Sequence, residues 1–250
     1  MTGDVNLYSV INQVSPNYLG ATYLLYCFTV YTVKSLVFKL VVSSAKIYSS
    51  ELNQQYCILS WLSIDYVFSS VFKERICFYQ VENREETKAH LIKSYNCSNL
   101  LITIVLFALS YLSLVASWFV DVFVWLCIIR FISRCLEITI AFSRDVMTEP
   151  VCYRKKAGSL NKYDRMTLAL KSYFEVYILS ASLYIFTQTS SGIEFLKVLN
   201  MSLGVGTLTN TGDAIKAMAS QPLIILVYLQ ILTTLTLVTM AFAIYIGRKR

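Results

Sequence analysis

Proline and glycine are scarce, at three and eight in 250 residues. So few chain breakers exclude a turn-rich β protein and a disordered linker-like chain. Charge is scarce too: Asp, Glu, Lys and Arg make up 15% of the chain, against about a quarter in a soluble domain. The one histidine, His90, lies in a charged segment without ligand-like neighbours. The seven cysteines are Cys27, Cys57, Cys77, Cys97, Cys127, Cys135 and Cys152; none forms a Cys-X-X-Cys pair and most lie in apolar runs. They read as small buried hydrophobes rather than a disulfide framework or a metal site. The opening "MTGDVNLYSVINQVSPNY" lacks the basic start of a secretory signal. No nucleotide or metal motif appears, and no His, Ser or paired-carboxylate constellation. No catalytic residue, cofactor site or metal site is therefore expected, and an enzyme is not expected. Inverted repeats, the mark of many transporters, are not visible.

Apolar residues dominate what is present: 56% of the chain is hydrophobic and the mean hydropathy is +0.56. The expectation is an all-α, polytopic helical membrane protein of five or six spans. Ser98 to Trp118 carries no charge, and its length suits a hydrocarbon layer of about 30 Å. Phe119 to Phe142 follows at once, which predicts a tight hairpin turning near Asp121. Thr167 to Thr187 and Pro222 to Ile246 are further spans. Tyr18 to Val42 is another, with Lys34 and Lys39 snorkelling from its second half. Gln55 to Phe72, with Asp65 inside it, reads either as a span or as an interfacial helix.

The net charge of +7 is read as membrane topology rather than nucleic-acid binding, because Lys and Arg gather in cytoplasmic loops. Lys73 to Lys93, Arg144 to Arg165 and the terminal "GRKR" are the basic segments. Placing all three in the cytoplasm puts the stretch "TLTNTGD", Thr207 to Asp213, on the outer side between two spans.

That layout of span, short outer helix, Thr-Gly-Asp loop and span resembles the pore module of potassium-channel-like proteins. In this chain "EFLKVLNMSLG" looks like the pore helix and "VGTLTNTGDAI" like the filter and its exit. The final "QPLIILVYLQILTTLTLVTMAFAIYIGRKR" looks like the inner helix, and "YDRMTLALKSYFEVYILSASLYIF" resembles the outer one. The resemblance covers about Tyr163 to Arg250. It implies a homotetramer with an ion path along Thr207, Thr209, Asn210, Thr211, Gly212 and Asp213. It also implies glycines at positive φ that turn carbonyls into that path, and Asp213 at its mouth. Aligned on Gly212-Asp213, the chain has Thr211 in place of the family's aromatic and Asn210 in place of a glycine. The expected path is accordingly wider, hydrated and weakly selective for cations. The alternative at this loop is an outer turn capped by Thr and Asp.

Charges inside spans are costly and tend to be paired. Arg130, Arg134 and Glu137 share one span, and Lys171 and Glu175 another. Counting rise from the basic ends places Arg134 and Glu175 at similar depth, on the order of 10 Å in, which predicts an interhelical pair. Thr233, Thr236 and Thr239 form a polar stripe on the last helix. It is expected either to line a lumen or a helix contact, or to bond back to its own helix. Four regions follow: an N-terminal membrane or interfacial region with a basic loop (1–96), a transmembrane hairpin (97–144), a cytoplasmic basic loop (145–166) and a pore-loop module (167–250). The expected function is a homo-oligomeric cation channel in a lipid membrane, the bacterial cytoplasmic membrane, with a cytoplasmic C-terminus. The alternative is a non-conducting membrane scaffold, itself a bacterial defence component, whose basic loops recruit a cytosolic protein.

Overall fold

The structure, a computed structural model, describes residues 16–42, 63–78, 84–147, 160, 162–187, 194–218 and 221–246. Among them every regular element is a helix: α1 (Pro16–Val42), α2 (Ile64–Phe78), α3 (Arg84–Ala116), α4 (Val120–Met147), α5 (Lys162–Ile185), α6 (Phe195–Gly206), α7 (Gly212–Ala217) and α8 (Gln221–Ile246). Local sequence sets several starts. Pro16 opens α1 and Pro222 lies in the first turn of α8, where a missing N–H costs nothing. Glu85 and Glu86, Asp121 and Asp164 sit in the first turns of α3, α4 and α5, where the helix dipole favours a carboxylate.

Two helices are long and apolar enough to cross a membrane, Asn17–Val42 and Glu85–Ala116; Phe195–Gly206 and Leu223–Thr239 are shorter apolar stretches. Only 28% and 33% of the most apolar parts of the two long helices is buried. The core helix of a soluble protein would be mostly covered. Here Leu24, Phe28, Leu40, Leu101 and Val115 stand exposed instead. Large apolar side chains exposed along both helices suit lipid or a partner surface.

Contacts along the helices fix their directions. α3 and α5 run parallel: Asn96 donates to Ser172 Oγ at 3.0 Å, and farther along Thr103 reaches Glu175 at 3.5 Å. α4 runs against both, since Cys127 meets Ser110 at 3.2 Å while Arg130 reaches back to the Asn99 carbonyl at 3.0 Å. α1 runs with α4: Tyr26 and Val30 pack near Leu126 and Ile129, and Lys34 lies 3.4 Å from Glu137. α8 packs beside α4 and α5, with Tyr184 near the end of α5 reaching Gln230, nine residues into α8. The bundle thus has a turn end, where α3 passes into α4, and a basic end with Lys88, Lys93 and Arg165.

Several expectations change. The hairpin turns at residues 117–119, with Ser117 at φ 54° and Phe119 at φ 50°; Asp121 already belongs to α4. Much of the supposed basic loop is helical, because α3 starts at Arg84 and carries its charged turns beyond the apolar stretch. Lys34 does not snorkel; it is 2% exposed. Cys127 and Cys135 are buried, whereas Cys97 is exposed, and these three and Cys27 are free thiols. Residues 55–62 of the Gln55–Phe72 segment, most of the 145–166 loop and the terminal "GRKR" lie outside the described residues.

Candidate functional site

α6 descends into the bundle from the turn end. Its first residue, Phe195, packs on Phe107 and Tyr111 of α3, with ring centroids 5.6 and 6.4 Å away. Two turns on, Ser202 Oγ meets Ser180 Oγ at 2.6 Å and donates to the Tyr177 carbonyl at 2.7 Å. At the last residue, Gly206, an added Cβ would stand 3.1 Å from the Tyr173 hydroxyl and 3.8 Å from Gln230 Nε2. Partners on α5 therefore run backwards from residue 180 to residue 173 as α6 advances. Tyr177, whose carbonyl Ser202 meets, precedes Ile185, the end of α5, by 8 residues (185 − 177), or about 12 Å at 1.5 Å per residue.

A polar chain holds α6 there. Tyr184 donates to Gln230 Oε1 at 2.8 Å, and Gln230 Nε2 donates to the Ser202 carbonyl at 3.0 Å. Gln230 and Ser202 are fully buried. Sequence reasoning did not single them out. The available signal was an amide in the interior of an otherwise apolar helix.

The chain turns sharply after α6. Thr209 and Asn210 both donate backbone N–H to the Gly204 carbonyl, at 2.9 and 3.2 Å. Gly204 has no room for a side chain: a Cβ would lie 2.9 Å from the Asn210 carbonyl oxygen. The expected role of the glycines is thereby corrected. Gly204 serves close backbone approach, and the left-handed residue is Leu208, at φ 60°. Gly212 and Asp213 do not continue an extended filter; they begin α7, with Asn210 Nδ2 donating to Asp213 Oδ2 at 2.7 Å. Thr207, Thr209, Asn210, Gly212 and Asp213 are exposed and Thr211 is half-exposed. The Thr207 and Thr209 hydroxyls meet at 2.8 Å.

The threonines of α8 do not share a face. Thr233 is fully buried and bonds back to the Leu229 carbonyl, while Thr236 and Thr239 bond back to Leu232 and Leu235 at the outer surface. Helical spacing separates position 233 from 239 by about 120°, so no single stripe forms.

A buried charge cluster centres on Glu175, two residues beyond Tyr173 on α5. Arg134 forks onto Glu175, Nε to Oε1 at 2.6 Å and Nη2 to Oε2 at 2.5 Å, and also pairs with Glu137. Arg130 stands 3.5 Å from Glu175 and donates to the Thr103 hydroxyl at 3.2 Å. Lys34 lies 3.4 Å from Glu137 and 3.7 Å from Asp65, whose carboxylate also accepts from Tyr26 and Ser133. Three cations thus face three carboxylates, and the cluster is neutral. Lys34 and Asp65 were visible in the sequence as charges in apolar runs, but their meeting across 31 positions was not. Lys171, read with Glu175 from their spacing, takes no part in these pairs.

Among the described residues no group of three or more His, Cys, Asp or Glu side chains is placed to hold a metal ion. Comparison of the chain with protein-family models, with curated proteins and with solved structures finds no match.

Proposed function

We propose that the protein is an integral membrane pore in which several copies set their α6–α7 loops around a common axis and pass cations with little discrimination between K⁺ and Na⁺. The depth of the loop carries the proposal. Ser202 meets the Tyr177 carbonyl about 12 Å from the end of α5 by helix rise, and Thr207 to Asn210 follow it, exposed. Non-helical backbone at membrane depth persists only where protein covers it or where it lines a wet cavity. The described residues of one chain leave this loop open, so neighbouring copies and water must meet it. The resemblance to potassium-channel-like pore modules supports four copies.

On this reading α1, α3, α4, α5 and α8 cross and α2 does not, which makes five crossings. The basic end faces the cytoplasm together with the C-terminus, and the membrane is a bacterial cytoplasmic membrane. Cation preference follows from Asp213 beside the loop and from its exposed carbonyls. Weak discrimination follows from the return of the chain as a helix at Gly212, because a helix does not stack the rings of free carbonyls that strip an ion of water. The test is current across a planar bilayer with K⁺ and Na⁺ on opposite sides, with subunits counted by particle imaging. Cation current with a reversal potential near zero is expected. A folded protein that carries no current would favour the non-conducting scaffold.

A further inference from the structure

At the basic end, α2, α3, α4 and α5 leave a cavity of about 290 Å³. Its charged lining is Lys73, Lys88, Arg134 and Arg165 against a single carboxylate, Glu137. Glu137 is already engaged by Arg134 and Lys34. Among the described residues no carboxylate stands within ion-pair distance of Lys73 or Lys88. Lys73 and Lys88 are each partly withdrawn from solvent, where a cation without counter-charge is costly, and an anion in the cavity lowers that cost.

Two further features narrow the anion. Asn96 lines the cavity; its Oδ1 is buried and without a hydrogen-bond partner, while its Nδ2 donates to Ser172 Oγ at 3.0 Å. A buried orphan acceptor calls for a donor such as a hydroxyl. Ile92, Ile138, Phe142 and Leu168 supply an apolar wall beside it, suited to carbon rather than to a bare inorganic ion.

We propose that this cavity binds a phosphate ester with free hydroxyls, the chemistry shared by glycerol phosphate in solution and by the headgroup of a phosphatidylglycerol-type lipid. Lys73 and Lys88 hold the phosphate as point charges. Asn96 Oδ1 accepts from a hydroxyl, and the apolar wall takes the glycerol carbons. A basic pocket between helices near the cytoplasmic surface is where anionic headgroups are met. Burial pushes the Lys73 ammonium down to about 8, with Lys34, Lys88 and Arg134 acting in the same direction and Glu137 opposing them. An anion in the cavity would reverse that push. The site stands apart from the pore reading, because its contacts are read by binding and not by current.

The test uses the full chain in a neutral detergent. Melting temperature and native mass spectrometry are followed with dioleoylphosphatidylglycerol, dioleoylphosphatidylcholine, glycerol 1-phosphate and inorganic phosphate. Phosphatidylglycerol should raise the melting temperature and stay bound at one copy per chain, and phosphatidylcholine should do neither. A rise with phosphatidylglycerol alone assigns the lipid; a rise with glycerol 1-phosphate as well assigns the soluble ester. Lys73→Gln with Lys88→Gln should weaken binding by about tenfold or more per lysine, and Lys88→Arg should retain it. Lys93→Gln, an exposed lysine of the same end paired with Asp164 at 2.8 Å, should leave it unchanged. If the double variant does not fold, Lys88→Gln alone is read, since that side chain is half-exposed. Binding of none of the probes, binding unchanged in the lysine variants, or an equal loss in Lys93→Gln overturns the site. Inorganic phosphate binding as tightly as glycerol 1-phosphate overturns the role of Asn96.

Discussion

Removing Glu175 should destabilise the protein more than removing Arg134, and removing both should cost less than the sum. Both side chains are buried, at 0% and 3% exposure. Breaking a buried pair from one side costs about 3–5 kcal/mol, chiefly because a charge is left uncompensated. In the native cluster three cations balance three carboxylates. Either single change leaves one unit of excess charge, and the double change returns the sum to zero. The two singles are not equivalent. After Arg134→Leu, Glu175 still has Arg130 at 3.5 Å, and Glu137 still has Lys34 at 3.4 Å. After Glu175→Leu, Arg134 keeps Glu137, but Arg130 loses its carboxylate. Glu175→Leu should therefore lie at the upper end of the range and Arg134→Leu at the lower. The coupling energy should reach about 2–3 kcal/mol, near the top of what contacting residues show. Unfolding in mixed micelles titrated with a denaturing detergent, followed by helical circular dichroism, measures all four corners of the cycle. Additive losses, or Arg134→Leu as the worse single variant, would refute the charge count.

Gly204→Ala should force the loop backbone to move, because its Cβ would sit 2.9 Å from the Asn210 carbonyl; a loss of about 1–3 kcal/mol is expected in the same assay. Gly206→Ala meets only the tip of the Tyr173 side chain, at 3.1 Å, and should be milder; equal losses would mean that the close turn is not what Gly204 serves. Gln230→Leu strands the Tyr184 hydroxyl and removes the side-chain tie to the Ser202 carbonyl and should cost about 1–3 kcal/mol, read as weaker protection of α6 in hydrogen exchange; unchanged protection would dismiss the anchor. Asp213→Asn should lower single-channel conductance most at low salt, where screening is weakest, and a salt-independent change would remove Asp213 from the mouth. Anion binding at the basic-end cavity should be strongest below pH 8 and weaken above it as Lys73 loses its proton, since its unoccupied value is pushed down to about 8; titration calorimetry with glycerol 1-phosphate across pH 7 to 9.5 is the check, and constant affinity would remove Lys73 from the site.

The helical class was legible because long apolar runs with so few prolines and glycines leave little else. The Arg134–Glu175 contact was within reach because rise per residue assigns a depth to each position once the ends of the helices are known. Lys34 was not, since a lysine in the last turns of an apolar run reads as a snorkelling cation until Asp65 and Glu137 are brought against it. The loop shows the same limit. Asn at 210 invited a left-handed backbone, yet the left-handed residue is Leu208. The closing bonds from Thr209 and Asn210 to one carbonyl decide it, and residue preference does not.

The cluster that joins α4 to α5 also bears on the order in which the chain enters a bilayer. On the five-crossing reading proposed above, a carboxylate or guanidinium at the centre of a helix adds about 2.5–3.5 kcal/mol to its insertion, which penalises α5 with Glu175 and α4 with Arg130, Arg134 and Glu137 when each inserts alone. α4 leaves the ribosome first; Arg134 has Glu137 on the same helix, but Arg130 lacks its carboxylate until Glu175 arrives 41 positions after Arg134. α1 and α2 are already made and bring Lys34 and Asp65 to Glu137 and Ser133. Insertion of α4 and α5 as one unit, held beside the insertion machinery until both are complete, is the route on which no lone charge crosses lipid. A chain stopped before Glu175 would be left with α4 at the membrane edge.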